Sequence, residues 1–289
     1  MILVTGASGN VGGAVLRELL EAGVPVRGMC RSAEEAAKAP ASANPVIADF
    51  ADRASLDRAL TGVDKVFLVC SPIPQLVELE SNVLDACRER GIRQVVQNSA
   101  LGAGVYNKSF PSWHYVVEER LRVSGVPATI LRPESFMQNI ATYYAGTIKS
   151  EGAFYAAGGN APIAFLDMRD VAAVVARVLT SDGHSGKTYT LTGSETLTYA
   201  QVADKLSKRL GTKVKYVDFS PQKLRQSMLQ LGMPPWQADA LVDLAAYYTE
   251  GPGARITEDV RQVLGREPVR FDQFLTDYAA NFATQSAVA

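Results

Sequence analysis

A glycine-rich segment near the start of the chain has the residue types and spacing of a phosphate-binding turn. Its glycines, spaced as GxxGxxG, follow an apolar run at residues 2–5 and precede a helical pattern that begins near Val11. A strand, a turn and a helix in this order direct backbone N–H groups and the positive end of the helix at an anion. The alternative is an ordinary strand-to-helix loop. We predict a dinucleotide-phosphate site formed by Gly6, Ser8, Gly9, Asn10, Val11 and Gly12.

Each glycine of this turn has its own geometric reason. Gly6 permits the tight turn, Gly9 leaves room for the pyrophosphate to approach the backbone, and Gly12 lets the helix pack closely. The side chains of Ser8 and Asn10 add hydrogen-bond donors. The segment therefore predicts both the position of the phosphates and the groups that bind them.

The residues after the second β-branched run indicate which dinucleotide this turn favours. An acidic residue at the end of the second strand binds the ribose hydroxyls of NAD and repels the additional phosphate of NADP. Here this position carries Arg31, followed by Ser32, and no carboxylate. A guanidinium binds a phosphate through two hydrogen bonds and stacks on adenine. We expect NADP(H) to be preferred over NAD(H), and the alternative is that Arg31 is an ordinary solvated residue.

Short β-branched runs alternate with amphipathic helical patterns over the first half of the chain. The runs lie at residues 2–5, 24–30, 45–48, 66–70, 94–98 and 128–131, with helical patterns such as 11–22 and 76–90 between them. This alternation predicts an α/β fold with a Rossmann-type, doubly wound parallel sheet. Position alone then places Cys70, Ser71 and Pro72, after the fourth run, on the ribose side of the cofactor.

The rhythm changes beyond Pro133. Predicted strands become fewer, at 163–166, 188–191 and 215–219, and helical patterns at 199–210, 222–231 and 235–249 predominate. We predict an NAD(P)-binding domain at residues 1–133 and a smaller, mostly helical C-terminal substrate lobe at residues 134–289. The two are expected to be partly interleaved, with some later segments returning to the first domain.

Composition excludes several classes of partner. The 289 residues carry a formal net charge of −1, so no global field attracts nucleic acid or an anionic membrane. The apolar stretches are short and no basic leader precedes the first run, so we expect a cytoplasmic protein without a membrane partner. The cysteines, Cys30, Cys70 and Cys87, lack the spacing of a zinc or redox site, and we expect no metal. The oligomeric state is left open, a homodimer included.

Several further segments resemble one family. LRPESFMQN at 131–139 resembles an RPxxFxxN segment, DFAD at 49–52 resembles an acidic pair after the third strand, and DMRDVA at 167–172 resembles a DxxDVA helix start. With the glycine turn, they are similar to those of the NmrA-like group of atypical short-chain dehydrogenases. That group includes triphenylmethane reductase, an NADPH-dependent quinone reductase, relatives of isoflavone reductase and non-catalytic NADP sensors. The resemblance implies adenine-edge contacts for Asp49 and Phe50, although Asp49 is equally placed to cap a helix beginning near Ala54.

The candidate catalytic residues depart from the usual short-chain dehydrogenase set. That set needs a tyrosine acid, a lysine four residues later that activates it, and a serine that orients the substrate. Tyr115 is followed four residues later by Glu119, so the lysine is missing, whereas Ser99 fits the serine position. His114 lies in an HxxxExxL segment that resembles the matching helix of quinone- and dye-reducing relatives, and imidazole donates protons near neutral pH. The alternative for His114 is a histidine that only packs.

Aromatic and apolar side chains beyond residue 133 are expected to line the substrate pocket. Hydride transfer to a planar, conjugated acceptor needs fewer catalytic groups from the protein than carbonyl reduction does, because the acceptor delocalises the developing charge or solvent neutralises it. Most such side chains in any protein pack in cores, and core packing is the alternative here too. The candidates are Phe136, Met137, Tyr143 and Phe165, with Tyr144, Phe154 and Tyr155 beside them.

Three functions are compatible with these residues. The first, which we expect, is an NADPH-dependent reductase that transfers hydride to a quinone, dye, enone or related aromatic small molecule, with His114 or water as proton source. The second, which the missing tyrosine–lysine pair supports, is a non-catalytic NADP-binding redox sensor or regulator. The third is an epimerase-like or dehydratase use of a tightly held cofactor, which the missing lysine disfavours.

Overall fold

The computed structural model describes residues 1–283, which form two compact units. Unit 1 comprises residues 1–133, 168–191 and 259–266, and unit 2 comprises residues 134–167, 192–258 and the described chain from residue 267 onward. The first segment of unit 1 ends at Pro133, where the sequence placed the end of the cofactor domain. Residues 284–289 of the predicted substrate lobe lie outside the described part.

Strands and helices are numbered along the chain through both units. The strands are β1 (Ile2–Val4), β2 (Val26–Cys30), β3 (Val46–Ile47), β4 (Lys65–Leu68), β5 (Gln94–Asn98), β6 (Ala128–Pro133), β7 (Ala153–Ala156), β8 (Thr188–Leu191) and β9 (Lys215–Asp218). The helices of unit 1 are α1 (Asn10–Glu21), α2 (Ala33–Lys38), α3 (Arg53–Ala59), α4 (Leu76–Glu89), α5 (Ser109–Val123), α7 (Met168–Thr180) and α11 (Asp259–Leu264). Those of unit 2 are α6 (Ala145–Glu151), α8 (Tyr199–Leu210), α9 (Pro221–Gln230), α10 (Pro235–Thr249), α12 (Phe271–Asp277) and α13 (Ala279–Phe282).

Unit 1 is built on a seven-stranded parallel sheet with the order β3-β2-β1-β4-β5-β6-β8. The chain runs outward from β1 in one direction and from β4 in the other, so β1 and β4 form the switch point of a doubly wound sheet. The predicted Rossmann-type α/β fold is confirmed. The crevice outside the carboxyl ends of β1 and β4 is where such sheets bind ligands.

Apolar side chains hold the sheet between its helices. Leu3, Val66 and Val95, from neighbouring strands, are fully buried, as expected for parallel strands that are covered on both faces. On α1, Val15 and Leu19 are fully buried along one stripe of the helix. The amphipathic pattern that predicted this helix therefore also fixes the face it presents to the core.

Two later segments complete unit 1 through α7, β8 and α11. The fully buried Asp170, in the DMRDVA segment, accepts a hydrogen bond of 2.7 Å from the guanidinium of Arg266. The backbone N–H of Thr190 in β8 donates to Asp259 of α11 at 2.6 Å. These polar contacts tie the last segment of the unit to the two elements before it.

Unit 2 is mostly helical and contains a two-stranded parallel sheet of β7 and β9. The predicted strand at 163–166 is wrong. Its ends form isolated bridges in opposite directions, Leu166 parallel to Phe136 and Ile163 antiparallel to Leu197, so no continuous ladder forms. Over residues 1–283, no helix is both long and apolar enough to cross a membrane.

Candidate functional site

The glycine turn between β1 and α1 has the close backbone packing that its sequence predicts. Gly6 adopts a φ of +56°, a conformation that favours glycine. A Cβ on Gly12 would lie 2.2 Å from the carbonyl oxygen of Gly6, so only glycine fits there. A Cβ on Gly9 would meet the same oxygen at 3.2 Å, which leaves the space beyond Gly9 open to a ligand. Gly9 is the N-cap of α1, and no capping side chain covers the first amides of this helix within residues 1–283.

Thr5 holds this turn against the end of β4. Its buried hydroxyl bonds to the carbonyl oxygens of Phe67 and Val69 at 3.1 and 3.0 Å, and the N–H of Val69 donates back to it at 2.8 Å. The two strands that form the switch point are therefore joined where the chain leaves both of them. This contact fixes the position of the turn relative to the segment that begins at Cys70.

A cavity of about 270 Å³ lies at this edge of the sheet in unit 1. Most residues that the sequence assigned to the cofactor line it together: Gly6, Ser8, Gly9, Arg31, Asp49, Phe50, Cys70 and Ser71. The remaining walls come from Met29, Glu35, Val69, Ile73 and Leu79, while Asn10, Val11, Gly12 and Pro72 are not among the lining residues. The donors, the glycine cradle and the apolar walls fit a dinucleotide whose phosphates lie at the start of α1.

The contacts of Asp49 and the protonation state of Cys70 define what these two residues contribute to the cavity. The helix-capping alternative for Asp49 is wrong, because Asp52 caps α3 by accepting the N–H of Ala54 at 3.0 Å. Asp49 instead accepts the N–H of Ala51 at 2.8 Å in a tight turn. Burial raises the pKa of the Cys70 thiol to about 12, so it stays protonated and acts as a wall.

Arg31 does not face the cavity with a free guanidinium. Its side chain is 79% exposed and lies 3.4 Å from a carboxylate oxygen of Glu35. The other Glu35 oxygen accepts the Ser8 hydroxyl and the N–H of Arg31, each at 2.9 Å. The sequence showed no carboxylate at the end of β2, yet the fold brings one to that place from α2.

Ser99, which the sequence assigned as the substrate-orienting serine, is hydrogen-bonded to a buried ion pair of Glu118 and Arg132. The Ser99 hydroxyl donates to Glu118 at 2.5 Å, so its proton is committed within the protein. Glu118 is fully buried and also binds Arg132 through contacts of 2.9 and 2.5 Å and Arg122 at 2.8 Å. Burial alone would raise the pKa of Glu118, but the hydrogen bonds from Arg132 and Ser99 outweigh it and lower that pKa. Ser99 serves this ion pair, and its role toward a substrate stays a prediction.

His114 lies on α5 and is only 5% exposed. Burial lowers its pKa to about 4, so the ring is neutral at physiological pH. Its Nδ1 has no hydrogen-bond partner within the described residues. The expectation that this imidazole titrates near neutral pH is therefore wrong for the folded chain, and its environment matches the packing alternative better.

Tyr115 lacks the partner that would activate it. Its ring packs over Gly104, where a Cβ would lie 2.8 Å from the ring edge. Glu119, at the position of the missing lysine, forms an ion pair with Arg122. The lysine of the usual set is therefore missing, and the cation that interacts electrostatically with Tyr115 is instead the guanidinium of Arg132.

The predicted substrate residues divide into core and surface within unit 2. Met137 and Phe165 are 1% and 2% exposed, and Phe165 packs against Tyr199 and Phe271. Their burial favours the core-packing alternative, and their contact with a substrate stays a prediction. Tyr144 and Phe154 stack with ring centroids 5.1 Å apart. Phe136 is half-buried and Tyr143 is 70% exposed, so both keep the surface that a substrate contact needs.

Comparison with protein-family models matches residues 1–269 to the NmrA-like family. The chain belongs to the NmrA-like family. NAD(P)H azoreductase of Xenophilus azovorans is 34% identical over 284 residues, which cover 98% of this chain and 99% of the azoreductase. Quinone oxidoreductase 2 of Escherichia coli is 32% identical over 248 residues, which cover 84% of this chain and 86% of that protein. The solved structure of an NADPH-dependent quinone oxidoreductase from Escherichia coli, complexed with NADPH, is 28% identical, covers 96% and 99% of the two chains and has a TM-score of 0.88.

Sequence reasoning missed two carboxylates of this NmrA-like protein: Glu35, in the wall of the candidate cofactor cavity, and Glu80, which bonds to the cavity residue Cys70. The only local signal at Glu35 is the S-x-x-E pattern that begins at Ser32, and this pattern marks the start of α2 rather than a contact with the glycine turn. Glu80 was detectable, because it stands between Leu76 and Leu84 on the apolar stripe of α4. It is fully buried, and burial raises its pKa to about 8. Gln97 donates to it at 3.2 Å, and the backbone N–H of Cys70 also bonds to it.

Glu80 is expected to make the stability of this NmrA-like protein fall as the pH rises. The folded chain holds the Glu80 proton up to a pKa of about 8, whereas an unfolded chain releases it near the ordinary glutamate pKa of 4.5. The free energy of unfolding therefore falls by about 1.4 kcal/mol for each unit of pH increase between those two pKa values. The Glu80→Gln substitution removes the buried titrating carboxyl and with it this dependence of stability on pH. The new amide can also donate to the side-chain oxygen of Gln97, which has no partner within the described residues. We expect a gain of about 1–3 kcal/mol at pH 8, measured by urea unfolding.

A matched control separates burial from charge. Glu78 is exposed on the same helix, so Glu78→Gln makes the same chemical substitution without removing a buried carboxyl. Its free energy of unfolding should follow that of the wild type at every pH. Parallel pH profiles for the wild type and Glu80→Gln would contradict the buried-proton account.

Proposed function

We propose that this chain is an NADPH-dependent reductase that transfers hydride to a planar, conjugated small molecule such as a quinone, a dye or an enone. The observation that carries the proposal is the cavity of unit 1, where Gly6, Gly9, Ser8 and Arg31 meet at the switch point of the sheet. When bound, NADPH supplies the hydride and its two electrons. Relatives named as an NAD(P)H azoreductase and a quinone oxidoreductase support this class of reaction.

The protein residues in this proposal bind and orient rather than donate protons. The glycine turn and the start of α1 bind the phosphates, and Cys70 and Ser71 lie along the wall beyond them. Ser99 is committed to Glu118, and the neutral His114 is buried. Solvent then supplies the proton, which suits acceptors that delocalise charge and disfavours simple ketones, whose oxygen needs an acid in the transition state.

The sensor reading is the second candidate, and a specific observation favours it. Tyr115 has Glu119 instead of a lysine four residues later, and that glutamate pairs with Arg122. A regulator needs to bind the dinucleotide without turnover. The glycine turn and the other residues that line the cavity of unit 1 supply such a site without an activated tyrosine. The expected cytoplasmic location and a homodimer stay predictions, the latter open to light scattering.

Turnover distinguishes the two candidates. Purified protein is mixed with NADPH and a panel of quinones, azo and triphenylmethane dyes, enones and simple ketones, and loss of the reduced nicotinamide absorbance is followed. We expect turnover with quinones or dyes and none with simple ketones. NADPH binding without turnover across the panel would replace the reductase by the sensor.

His114→Gln is expected to leave the chemical step within about threefold of the wild type, because a neutral buried ring donates no proton. Single-turnover oxidation of NADPH on a quinone measures this step apart from cofactor binding. Tyr115→Phe serves as the companion variant on the same helix. A fall of about a hundredfold or more in His114→Gln, with NADPH affinity unchanged, would restore the acid role that the sequence suggested.

A further inference from the structure

We infer that Glu35 is a resident anion of the cofactor site that weakens binding of the NADP 2′-phosphate and lets the site accept NADH as well. This inference rests on the proposed function, since it concerns how the same cavity selects its dinucleotide. It assigns a specificity role to a residue that the sequence marks only as part of the helix start at Ser32.

The contacts of Glu35 are with the groups that a bound ribose phosphate needs. One carboxylate oxygen accepts the Ser8 hydroxyl at 2.9 Å and the backbone N–H of Arg31 at 2.9 Å. The other lies 3.4 Å from the Arg31 guanidinium. The Glu35 side chain is 25% exposed and belongs to the cavity wall. Two donors expected for the cofactor therefore converge on one internal carboxylate.

Glu35 is ionised in this position. The N–H of Arg31 and the hydroxyl of Ser8 stabilise the charged form and lower the pKa of Glu35 below its ordinary value. A 2′-phosphate that binds Arg31 must either accept a second anion beside it or displace that anion from its donors, and both reduce affinity. A ribose hydroxyl, in contrast, donates a hydrogen bond to a carboxylate at this edge of the sheet. The same residue thus opposes NADPH and assists NADH.

A purely structural role for Glu35 makes a different prediction. If its three hydrogen bonds only fix the loop between β2 and α2, then its removal weakens both dinucleotides alike and lowers the melting temperature. Gln in its place keeps an oxygen that accepts from Ser8 and from the Arg31 N–H, and loses the charge together with the 3.4 Å contact to the Arg31 guanidinium. The Glu35→Gln protein is therefore expected to fold as the wild type does.

The chain supplies a closely matched control. Glu34 is the preceding residue of α2 and pairs with Lys38 at 2.6 Å, and it is not among the residues that line the cavity. Glu34→Gln makes the same change in net charge one residue away. Any general effect of charge on the binding of an anionic dinucleotide appears equally in both variants.

Calorimetric titration of the full chain with NADPH and with NADH tests the inference without turnover. We expect Glu35→Gln to bind NADPH about tenfold more tightly, with NADH unchanged or a few-fold weaker. Glu34→Gln should stay within about twofold of the wild type for both dinucleotides. In an Arg31→Ala background, Glu35→Gln should gain less than about threefold for NADPH, because the cation for which the two anions compete is gone.

Each outcome has a definite meaning. A wild type that binds neither dinucleotide overturns the proposed function, and the inference with it. A wild type that binds them, with the same NADPH-to-NADH ratio in Glu35→Gln, overturns the inference alone. Equal weakening of both dinucleotides with a lower melting temperature makes Glu35 a structural residue and also overturns the inference.

Discussion

The Gly9→Val protein is expected to bind no dinucleotide while it keeps its fold. A Cβ at Gly9 meets only the carbonyl oxygen of Gly6, at 3.2 Å, so the turn must shift by a few tenths of an ångström to accept it. The branched side chain would extend into the space at the start of α1, where the pyrophosphate must approach the backbone. We expect NADPH affinity to fall at least about a hundredfold, equivalent to about 2.8 kcal/mol.

Calorimetry and thermal unfolding together decide this prediction. Gly9→Ala, with a single methyl group, should lose less affinity and so give a graded series at one position. Gly12→Ala is the contrasting variant, because its Cβ would lie 2.2 Å from a backbone oxygen and should destabilise the fold itself. Wild-type NADPH affinity in a folded Gly9→Val protein would place the phosphates elsewhere.

Arg132→Met is expected to destabilise the protein by about 3–5 kcal/mol, because it leaves the buried Glu118 carboxylate without its main cation. Arg132 donates to both Glu118 oxygens, and that carboxylate is fully buried. Removing one member of a buried pair costs far more than removing both. The double variant Arg132→Met, Glu118→Gln should therefore recover part of the loss. Urea unfolding measures all three free energies.

The surface offers a matched comparison for this ion pair. Arg120, on the same helix as Glu118, pairs with Asp85 at 2.6 Å, and both side chains are partly exposed. Arg120→Met should change the free energy of unfolding by about 1 kcal/mol or less. Equal losses for the two arginine variants would mean that burial of Glu118 does not govern the stability of this pair.

The parts of the site that local sequence determines were predictable. The glycine turn needs only a strand, a helix and glycines at fixed spacing, and Gly6, Gly9 and Arg31 line one cavity as expected. The doubly wound parallel sheet followed from the alternation of runs and helices, because parallel strands need crossover helices. The strand at 163–166 failed because an apolar run records burial and not its pairing partners.

The parts that depend on tertiary packing were not predictable. The motif position of His114 contains no information on its exposure, and burial reversed the expected protonation state. Ser99 fits the catalytic position in sequence, yet in the fold its hydroxyl donates a hydrogen bond to Glu118 of α5. Glu35 reaches Ser8 only through the turn between β2 and α2. In each case the deciding contact joins residues whose separation along the chain reveals nothing of their distance.

The interleaving of the two units sets an order on folding during synthesis. A ribosome releases residues 1–133 first, but the sheet of unit 1 then lacks β8, and its helices lack α7 and α11. The segment that carries Asp259 and Arg266, which bind Thr190 and Asp170, emerges only after most of unit 2. Although domains that are continuous in sequence fold one after another from the N-terminus, unit 1 here is completed only after most of unit 2 has been synthesised.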